Sequence, residues 1–427
     1  MLHLVVDMVN VRRVPVPTTV SVEARSTLDI NKPISFSKTA AARFEADVAD
    51  DKDHSVALVV GGGDFEGRGV LRIDRLQVSA TADGTITKVE VQRTGKTVVA
   101  KVQMVLLRIV DATSETPPAF GSPQPAWHFE SRILNPKGSG LSLLNGSEVK
   151  VPVATQRVRV LRWKPSKTRV GLYVPVKALP RLGSYNLFFK PIAVAGWTVG
   201  GIMGLYMDWA GDRSHKNLNA ATEAAGSSYV LCLAFEEDGR IGSYGESGAG
   251  VVELIEEIDF LLRRSFPGVP LQPSPNVERI ALSCFSSGCD HLGKIFAKSS
   301  LPPLADKLKG VFNFDGHLND GGFATLIAAI NGWYGGGGNS KTVRFYMSEG
   351  KFSKLLDGVA GLRVSGPHGS YEFRSTATNS AGEPSLNYLE VPEAFWKSYD
   401  PWYTSWMRVH QAIPKVFLAH AHAYAGG

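Results

Sequence analysis

The chain has 427 residues, of which 44% are hydrophobic and 20% are charged, and its formal net charge is +6. This length exceeds what one hydrophobic core usually supports, so we expect two domains. The 46 basic residues are scattered along the chain rather than gathered in one cluster, which does not favour nucleic-acid binding.

The N-terminal residues and the cysteines indicate where the protein resides. The first apolar run contains Asp7 and its arginines follow it, which is the reverse of the order in a secretory signal. The three cysteines are too few for a disulfide framework, and the weakly charged segment from Ile192 to Met207 is too short and glycine-rich for a membrane span. We therefore expect a cytoplasmic protein in a reducing compartment, with no transmembrane segment.

Residues 1–160 alternate short β-type runs with turn residues. The runs HSVALVV, GVLRIDRLQVSA, TITKVEVQRT and KTVVAKVQMVLL place Val, Ile and Thr at a period of two. This pattern predicts an all-β sandwich or jelly-roll-like domain with an accessory role. The proline-rich stretch from Thr116 to Trp127 predicts a long loop or a connection to the second half.

Residues 161–427 alternate strands and helices, which predicts a mainly parallel sheet flanked by helices. Predicted strands are TRVGLYVPV, YNLFFKPIAV and SSYVLCLAFEEDG, and GAGVVELIEEIDFLLRRSF is a predicted helix. Further along, LKGVFNF and KTVRFYMS predict strands that end near Asp315 and Glu349, with a helix in TLIAAINGWY between them.

The stretch from Glu278 to Phe296 predicts a buried strand, a sharp turn and a helix. Its centre, Cys-Phe-Ser-Ser-Gly-Cys, has small residues two positions before and after Ser286, as a nucleophile elbow requires. Cys284 stands where the commoner motif has glycine. The same letters also fit an ordinary helix cap made by a serine, so the flanking elements decide between the two interpretations.

This order of a serine elbow, strand-end acids and a C-terminal histidine resembles the α/β-hydrolase superfamily, which includes serine esterases and lipases. The resemblance covers roughly residues 160–427 and rests on order and context. It implies an α/β-hydrolase-like catalytic domain with Ser, acid and His in that order along the chain. Ser286 is then the nucleophile, a histidine takes its proton, and a carboxylate supports the imidazole.

Two strand-end acids compete for the carboxylate role. Asp315 is favoured because a short acid followed by Gly316 suits a tight turn. Glu349 is the alternative, since it follows the next strand, where the family more often carries its acid.

Several histidines compete for the base. The resemblance implies a histidine in a loop just before a final helix, and Pro414 suits the first turn of such a helix. His410 then precedes the helix and is favoured, whereas His420 and His422 lie inside it as alternatives. His317 and His368 are weaker alternatives, and His317 is more simply a loop residue near Asp315.

The oxyanion hole is only half assigned. Ser287 supplies one backbone N–H by its position after the nucleophile, and the segment around Ile192 is the candidate for the second. The His-Gly pair that is usual in the family is missing there.

No metal or organic cofactor is expected. Cys289, Asp290 and His291 are adjacent on a predicted helix and cannot all face one ion, and the glycine-rich stretches lack the context of phosphate-binding loops.

The sequence thus predicts a serine hydrolase that cleaves a small-molecule or lipid-like ester. The apolar segment from Ile192 to Met207, with Trp209, Trp333 and Tyr334, favours an apolar acyl group. Alternatives are a catalytically inactive binding protein on the same scaffold, or an amidase or peptidase. Nothing in the sequence specifies the oligomeric state.

Overall fold

The computed structural model of the chain describes residues 2–10, 19–49, 52–62, 65–74, 77–80, 86–94, 97–106, 109–111, 132–135, 142–145, 158–163, 169–178, 182–189, 202, 206, 218–219, 222, 226–235, 241–265, 276–335, 340–348, 361–366, 369–378, 384–391 and 405–423. The chain divides into two units. Unit 1 contains Met1–Ala112, Arg162–Pro165 and Glu253–Asn276, and unit 2 contains the remainder. The predicted boundary near residue 160 stays a prediction.

Unit 1 holds two five-stranded sheets, with strand orders β4-β5-β1-β10-β9 and β3-β2-β6-β7-β8. All the strand pairs in them are antiparallel except β1 with β10. Apolar side chains of both sheets share one buried core, and the mainly antiparallel pairing agrees with the period-two pattern of the sequence. Its strands are β1 (Leu2–Asn10), β2 (Ser21–Ser26), β3 (Asp29–Ile34), β4 (Ser37–Ala40), β5 (Arg43–Val48), β6 (His54–Gly62), β7 (Phe65–Asp74), β8 (Gln77–Ala80), β9 (Ile86–Thr94) and β10 (Thr97–Leu106).

Four short strands follow in the chain. They are β11 (Ile109–Asp111), β12 (Arg132–Asn135), β13 (Ser142–Asn145) and β14 (Val158–Trp163). Strand β11 pairs antiparallel with β14, and β12 pairs antiparallel with β13. The proline-rich stretch from Thr116 to Trp127 lies outside the described residues.

The sheet that carries the candidate site includes, within unit 2, the strands β15-β17-β16-β18-β19-β20-β23-β22-β21 in this order. The strands from β17 to β23 in this order are parallel, whereas β15, β22 and β21 pair antiparallel at the two sides. Every residue of β17 and β20 is buried, which is typical of parallel strands covered on both faces. The strands are β15 (Arg169–Tyr173), β16 (Ser184–Phe189), β17 (Val230–Phe235), β18 (Arg279–Phe285), β19 (Leu308–Phe314), β20 (Thr342–Ser348), β21 (Gly361–Gly366), β22 (Gly369–Thr378) and β23 (Pro384–Val391).

The α-helices whose bounds the structure gives are α1 (Gly248–Ser265), α2 (Cys289–Phe296), α3 (Pro302–Ala305), α4 (Asp320–Tyr334) and α5 (Trp406–Ala423). These bounds confirm the predicted alternation of strands and helices in the second half. Helix α4 is preceded by Asn319, whose side chain caps it by accepting a hydrogen bond from the Gly322 N–H, and it is followed by Gly335 in a left-handed conformation. Within the described part of the chain, no helix combines the length and apolar character needed to cross a membrane.

The start of α5 was predicted wrongly. Pro414 lies inside the helix rather than in its first turn, so His410 is a helical residue and does not precede the helix. A proline inside a helix removes one hydrogen bond and costs about 3 kcal/mol. Burial of the apolar face, including Ile413 and Phe417 with no exposed surface, offsets that cost.

Candidate active site

Ser286 lies at a strained turn directly after β18. Phe285 ends the strand with an extended backbone, at φ −133° and ψ 136°, and Ser286 then has a φ of 53°. A 3-10 turn from Ser286 to Gly288 leads into α2. A side chain in the left-handed region costs about 1–3 kcal/mol, and such residues cluster at functional sites.

Gly288 explains why small residues surround this turn. A Cβ atom added at Gly288 would lie 2.4 Å from the carbonyl oxygen of Phe189, the last residue of β16. No side chain fits at that distance, so the close approach of turn and strand requires glycine. The sequence pattern predicts small residues around this turn for the same steric reason, and the role of the turn as a nucleophile elbow stays a prediction.

Asp315 occupies the corresponding turn at the end of β19, next to β18 in the sheet. Its φ is 55°, and among the described non-glycine residues only Ser286 and Asp315 have a positive φ. The Asp315 N–H donates to Tyr346 O at 2.8 Å. Its carboxylate oxygen Oδ1 accepts hydrogen bonds from the N–H of Ser348 at 2.9 Å and from the Ser348 hydroxyl at 3.0 Å. These bonds hold the acid in its strained turn.

The Asp315 carboxylate is joined to His410. His410 Nδ1 lies 2.7 Å from Asp315 Oδ2, and both side chains are buried. Burial would raise the pKa of Asp315, but the hydrogen bonds from His410 and from the Ser348 N–H together lower that pKa below its usual value. Asp315 is therefore a carboxylate at neutral pH, and His410 Nδ1 carries the proton between them.

Aromatic rings hold the imidazole of His410. The rings of Phe285 and Trp406 stack on it, with centroids at 4.5 Å and 5.2 Å and interplanar angles of 29° and 10°. The His317 ring lies 5.9 Å away at 15°. Trp406 precedes His410 by four residues, which places both on one face of α5. The base candidate thus has few orientations available.

The elbow and the acid turn are also linked through the backbone. The His317 N–H donates to the carbonyl oxygen of Ser286 at 3.2 Å. Between these described residues, the structure has no hydrogen bond that joins the Ser286 hydroxyl to His410. Catalytic hydrogen bonds are often long before substrate binds, so this arrangement is compatible with a resting site.

The remaining sequence candidates do not join this cluster or are not described. Ser287 lies in the 3-10 turn after Ser286. His422 lies in the last turn of α5, where it pairs with Asn186 rather than with Asp315. The side chain of His420 is outside the described set, as are three whole residues: Ile192, Glu349 and His368.

Three residues offer a possible metal site that sequence reasoning missed. Donor atoms of Asp315, His317 and His410 all lie within 4.8 Å of one another. Asp315 and His410 are buried, whereas His317 is 31% exposed. By contrast, Asp290 pairs with Lys294 and His291 Nδ1 faces the carbonyl of Gly245, so the sequential Cys-Asp-His stretch forms no such group.

The sequence analysis also did not identify Ser348 or Trp406 as residues of the candidate site. Ser348 immediately precedes Glu349 at the end of the strand beside β19, and a polar residue at that edge was a usable signal. Trp406 lies four residues before His410, one helical turn away. Had the predicted helix included the residues before Pro414, this spacing would have placed Trp406 beside His410.

Two cavities lie elsewhere. One, of about 440 Å³, is lined by residues of α2 and α4 and of the segment before α4, and the other, of about 760 Å³, lies in unit 1. Neither cavity is lined by Ser286, Asp315 or His410. The candidate site is therefore identified by the strained turns and the hydrogen bond between Asp315 and His410, and not by the size of a cavity.

Comparisons with known proteins give only slight likenesses. No protein-family model and no curated protein matches the chain. Two solved structures are esterase 2 of Thermogutta terrifontis, phosphoramylated by tabun or phosphonylated by sarin; each is 13% identical, with TM-scores of 0.25 and 0.24, and the match covers 47% of this chain and 75% of the esterase. The apo AtxE2 isopeptidase is 10% identical with a TM-score of 0.31, and the match covers 96% of this chain and 62% of that one. These neighbours are hydrolytic enzymes, and TM-scores this low carry no argument about the present chain.

Proposed function

We propose that this protein is a serine hydrolase that cleaves an ester, with Ser286 as nucleophile, His410 as base and Asp315 as the supporting acid. One observation carries the proposal. The two strained non-glycine residues of the described chain stand at the ends of adjacent parallel strands, and one of them is hydrogen-bonded to a buried histidine. Strained residues that meet at one sheet edge are typical of active sites.

The hydrogen bond between Asp315 and His410 supports the base role. Because Nδ1 donates to the carboxylate, Nε2 is left as the proton acceptor. In the first step, Ser286 Oγ bonds to the carbonyl carbon and its proton passes to His410 Nε2. The bond to the alcohol then breaks, and the same proton leaves with that alcohol. Water repeats the sequence on the acyl-enzyme and releases the acid.

The arrangement of unit 2 supports an α/β-hydrolase-like fold for this proposal. The nucleophile follows a central parallel strand, and the chain order is Ser, Asp, His. The acid follows β19, the strand next to the elbow strand, and not β20.

The oxyanion hole is proposed to combine the Ser287 N–H with an N–H from the segment around Ile192. The contact between Gly288 and Phe189 supports this pairing, because it brings the end of β16 against the elbow. The chain continues from Phe189 into that segment, so a second donor has a short path to the same edge.

An apolar acyl group fits the surroundings of His410. Trp406 and Met407 are large apolar residues that are 50% and 53% exposed, and Trp406 stacks on the imidazole. An acyl chain beside these side chains would be removed from water.

A serine-directed fluorophosphonate tests the proposal. We expect it to label the native chain and not Ser286→Ala, whereas Ser287→Ala, a matched change at the neighbouring serine, retains labelling because its backbone N–H is intact. Labelling of Ser286→Ala at the native rate, or no labelling of the native chain, would refute the nucleophile and favour an inactive binding scaffold. A panel of p-nitrophenyl esters and anilides then separates an esterase from an amidase or peptidase.

A metal-dependent hydrolase is the second candidate, favoured by the donor atoms of Asp315, His317 and His410. The histidine and carboxylate ligands of that cluster suit zinc. Ester cleavage that survives Ser286→Ala but is abolished by dialysis against a chelator, and restored by zinc, would establish this candidate in place of the first.

A further inference from the structure

Three polar side chains outside the proposed catalytic cluster form a buried chain of hydrogen bonds. This buried polar chain comprises Ser283, Asn186 and His422. Ser283 Oγ lies 2.7 Å from Asn186 Oδ1, and Asn186 Nδ2 lies 2.5 Å from His422 Nε2. Ser283 and Asn186 have no exposed surface, and His422 is 5% exposed. Polar groups buried this deeply cost free energy unless they are hydrogen-bonded, so their presence among apolar strands points to a specific role.

The buried polar chain joins three elements that the proposed reaction needs in register. Ser283 lies on β18, the strand that ends at the Ser286 turn. Asn186 lies on β16, the neighbouring strand. His422 lies in the last turn of α5, the helix that carries His410 in its second turn. The strand of the nucleophile is thus hydrogen-bonded, through one amide, to the helix of the base.

A second catalytic centre is excluded by the surroundings of His422. Burial lowers the pKa of His422 to about 3, so the imidazole is neutral and a poor base at neutral pH. The rings of Tyr229 and Phe312 lie 6.0 Å and 5.9 Å from it. A side chain packed in this way holds position and does not meet substrate.

The other contacts of α5 do not fix its position along the sheet equally well. Apart from His410 and His422, the buried side chains described on α5 are apolar, and Phe417 stacks on Tyr346 at 4.6 Å. Apolar contacts are non-directional. If α5 slid along the sheet by one helical turn, about 5.4 Å, it could replace its present apolar contacts with others of similar energy. The same slide would separate His410 from Asp315. Pro414 also lacks the N–H that would bond to the His410 carbonyl, so the helix itself holds that turn less firmly.

We propose that the buried polar chain is a positioning device that fixes the register of α5 on the sheet and so holds His410 against Asp315. The inference rests on the proposed function, since it assigns Ser283, Asn186 and His422 as positioning residues for the same site. Directional polar pairs set register in other helical assemblies, because a shifted register leaves each partner unsatisfied.

The test compares His422→Phe with the conservative His422→Gln in the full chain. The first readout is the low-field proton NMR signal of the His410 Nδ1–H, and the second is the rate of Ser286 labelling by a fluorophosphonate at saturation. For His422→Phe we expect a broadened or lost NMR signal and about tenfold slower labelling, because a small misplacement of a catalytic group is costly. The probe concentration at half-saturation should stay nearly constant. His422→Gln should keep the NMR signal and the labelling rate, because its amide can still bond to Asn186.

A second variant distinguishes loss of positioning from loss of folding. Replacing all three residues together, as Ser283→Ala, Asn186→Leu and His422→Phe, leaves no buried polar group unsatisfied and should keep the chain folded. We expect this variant to show the same slow labelling as His422→Phe. Native labelling and a native NMR signal in both variants would overturn the positioning role.

Tyr388→Phe is the matched control. It removes the partly buried hydrogen bond that the Tyr388 hydroxyl donates to Asn331 Oδ1 at 2.8 Å, between β23 and α4 rather than through α5. It should lower thermal stability without slowing labelling. Equal slowing in Tyr388→Phe would reduce the effect to general destabilisation and overturn the inference. Absence of labelling in the native chain would instead refute the proposed function, and the NMR signal would still report the position of His410.

Discussion

Ser286 and Asp315 hold their positive φ angles because their surroundings leave no alternative. The turn at Ser286 is pressed against Phe189 through Gly288, and the turn at Asp315 is tied to Tyr346 and Ser348. Each strained residue costs about 1–3 kcal/mol, which the neighbouring contacts must offset. Changes in those contacts should therefore affect the proposed reaction more than they affect folding.

Gly288→Ala tests the elbow. The added methyl would collide with the carbonyl oxygen of Phe189 at 2.4 Å, so the turn must move and Ser286 with it. We expect a stability loss of about 1–3 kcal/mol and a fall of about 100-fold in fluorophosphonate labelling. Gly332→Ala is the control: nothing lies within 4 Å of its added Cβ in α4, so labelling should stay at the native rate. A native labelling rate in Gly288→Ala would show that the turn does not position the nucleophile.

Asp315→Asn tests the acid. The amide cannot keep His410 in the tautomer with a proton on Nδ1, because its NH₂ group would compete as a donor. By analogy with the same change in serine proteases, labelling should fall by about 10⁴-fold. Glu349→Gln, the alternative acid of the sequence analysis, should leave the labelling rate unchanged. The opposite result, with Glu349→Gln inactive and Asp315→Asn active, would transfer the acid role to Glu349.

Site residues could be proposed from the sequence where neighbouring residues in the chain indicated their role. The elbow follows from small residues around one serine, and Asp315 from its place after an apolar run. The buried polar chain was missed because its members are far apart in sequence. A signal existed: Asn186 and Ser283 interrupt strands that are otherwise apolar, and a polar residue in such a strand needs a buried partner.

At the scale of the element, the first turn of α5 combines two features. Trp406 stacks on the candidate base, and Met407 beside it is 53% exposed. Large apolar side chains next to a reactive group are suited to contact an apolar substrate. The helix would then supply both the base and part of the acyl-binding surface.

Met407→Gln tests this surface without touching the base. Methionine and glutamine have similar helix propensities, so thermal stability should stay nearly constant. Loss of about 30–50 Å² of apolar contact is worth about 1 kcal/mol, so the preference for a long-chain over an acetyl p-nitrophenyl ester should fall about fivefold. We would measure kcat/KM for both esters. An unchanged ratio would place the acyl group elsewhere.

Strands were predicted better than this helix. The strands from β16 to β20 are long apolar runs because both of their faces are buried, and such runs stand out in sequence. The start of α5 was missed because Pro414 fits the first turn of a helix by local rules. Tertiary burial of Val409, Ala412 and Ile413 carries the helix through the proline, and no local pattern contains that information.

At the scale of the whole molecule, buried histidines make the free energy of unfolding depend on pH. Burial lowers the pKa of His422 to about 3, and burial also lowers the pKa of His291. The unfolded chain binds a proton at His422 below pH about 6.5, whereas the folded chain does so only near pH 3. Folding is therefore penalised as the pH falls from about 6.5 towards 3.

His422→Phe should flatten this dependence. Between pH 6.5 and 4.5 the single imidazole of His422 should lower the free energy of unfolding by about 2 kcal/mol, because protonation of an unfolded-state histidine contributes up to about 1 kcal/mol for each pH unit. The variant starts lower at pH 7, since Asn186 loses its partner, but its slope over this window should be smaller by that amount. Urea unfolding followed by circular dichroism at several pH values measures both curves. Equal slopes would mean that His422 is protonated in the folded chain, and a charged imidazole could not sit in the apolar interior between β16 and α5.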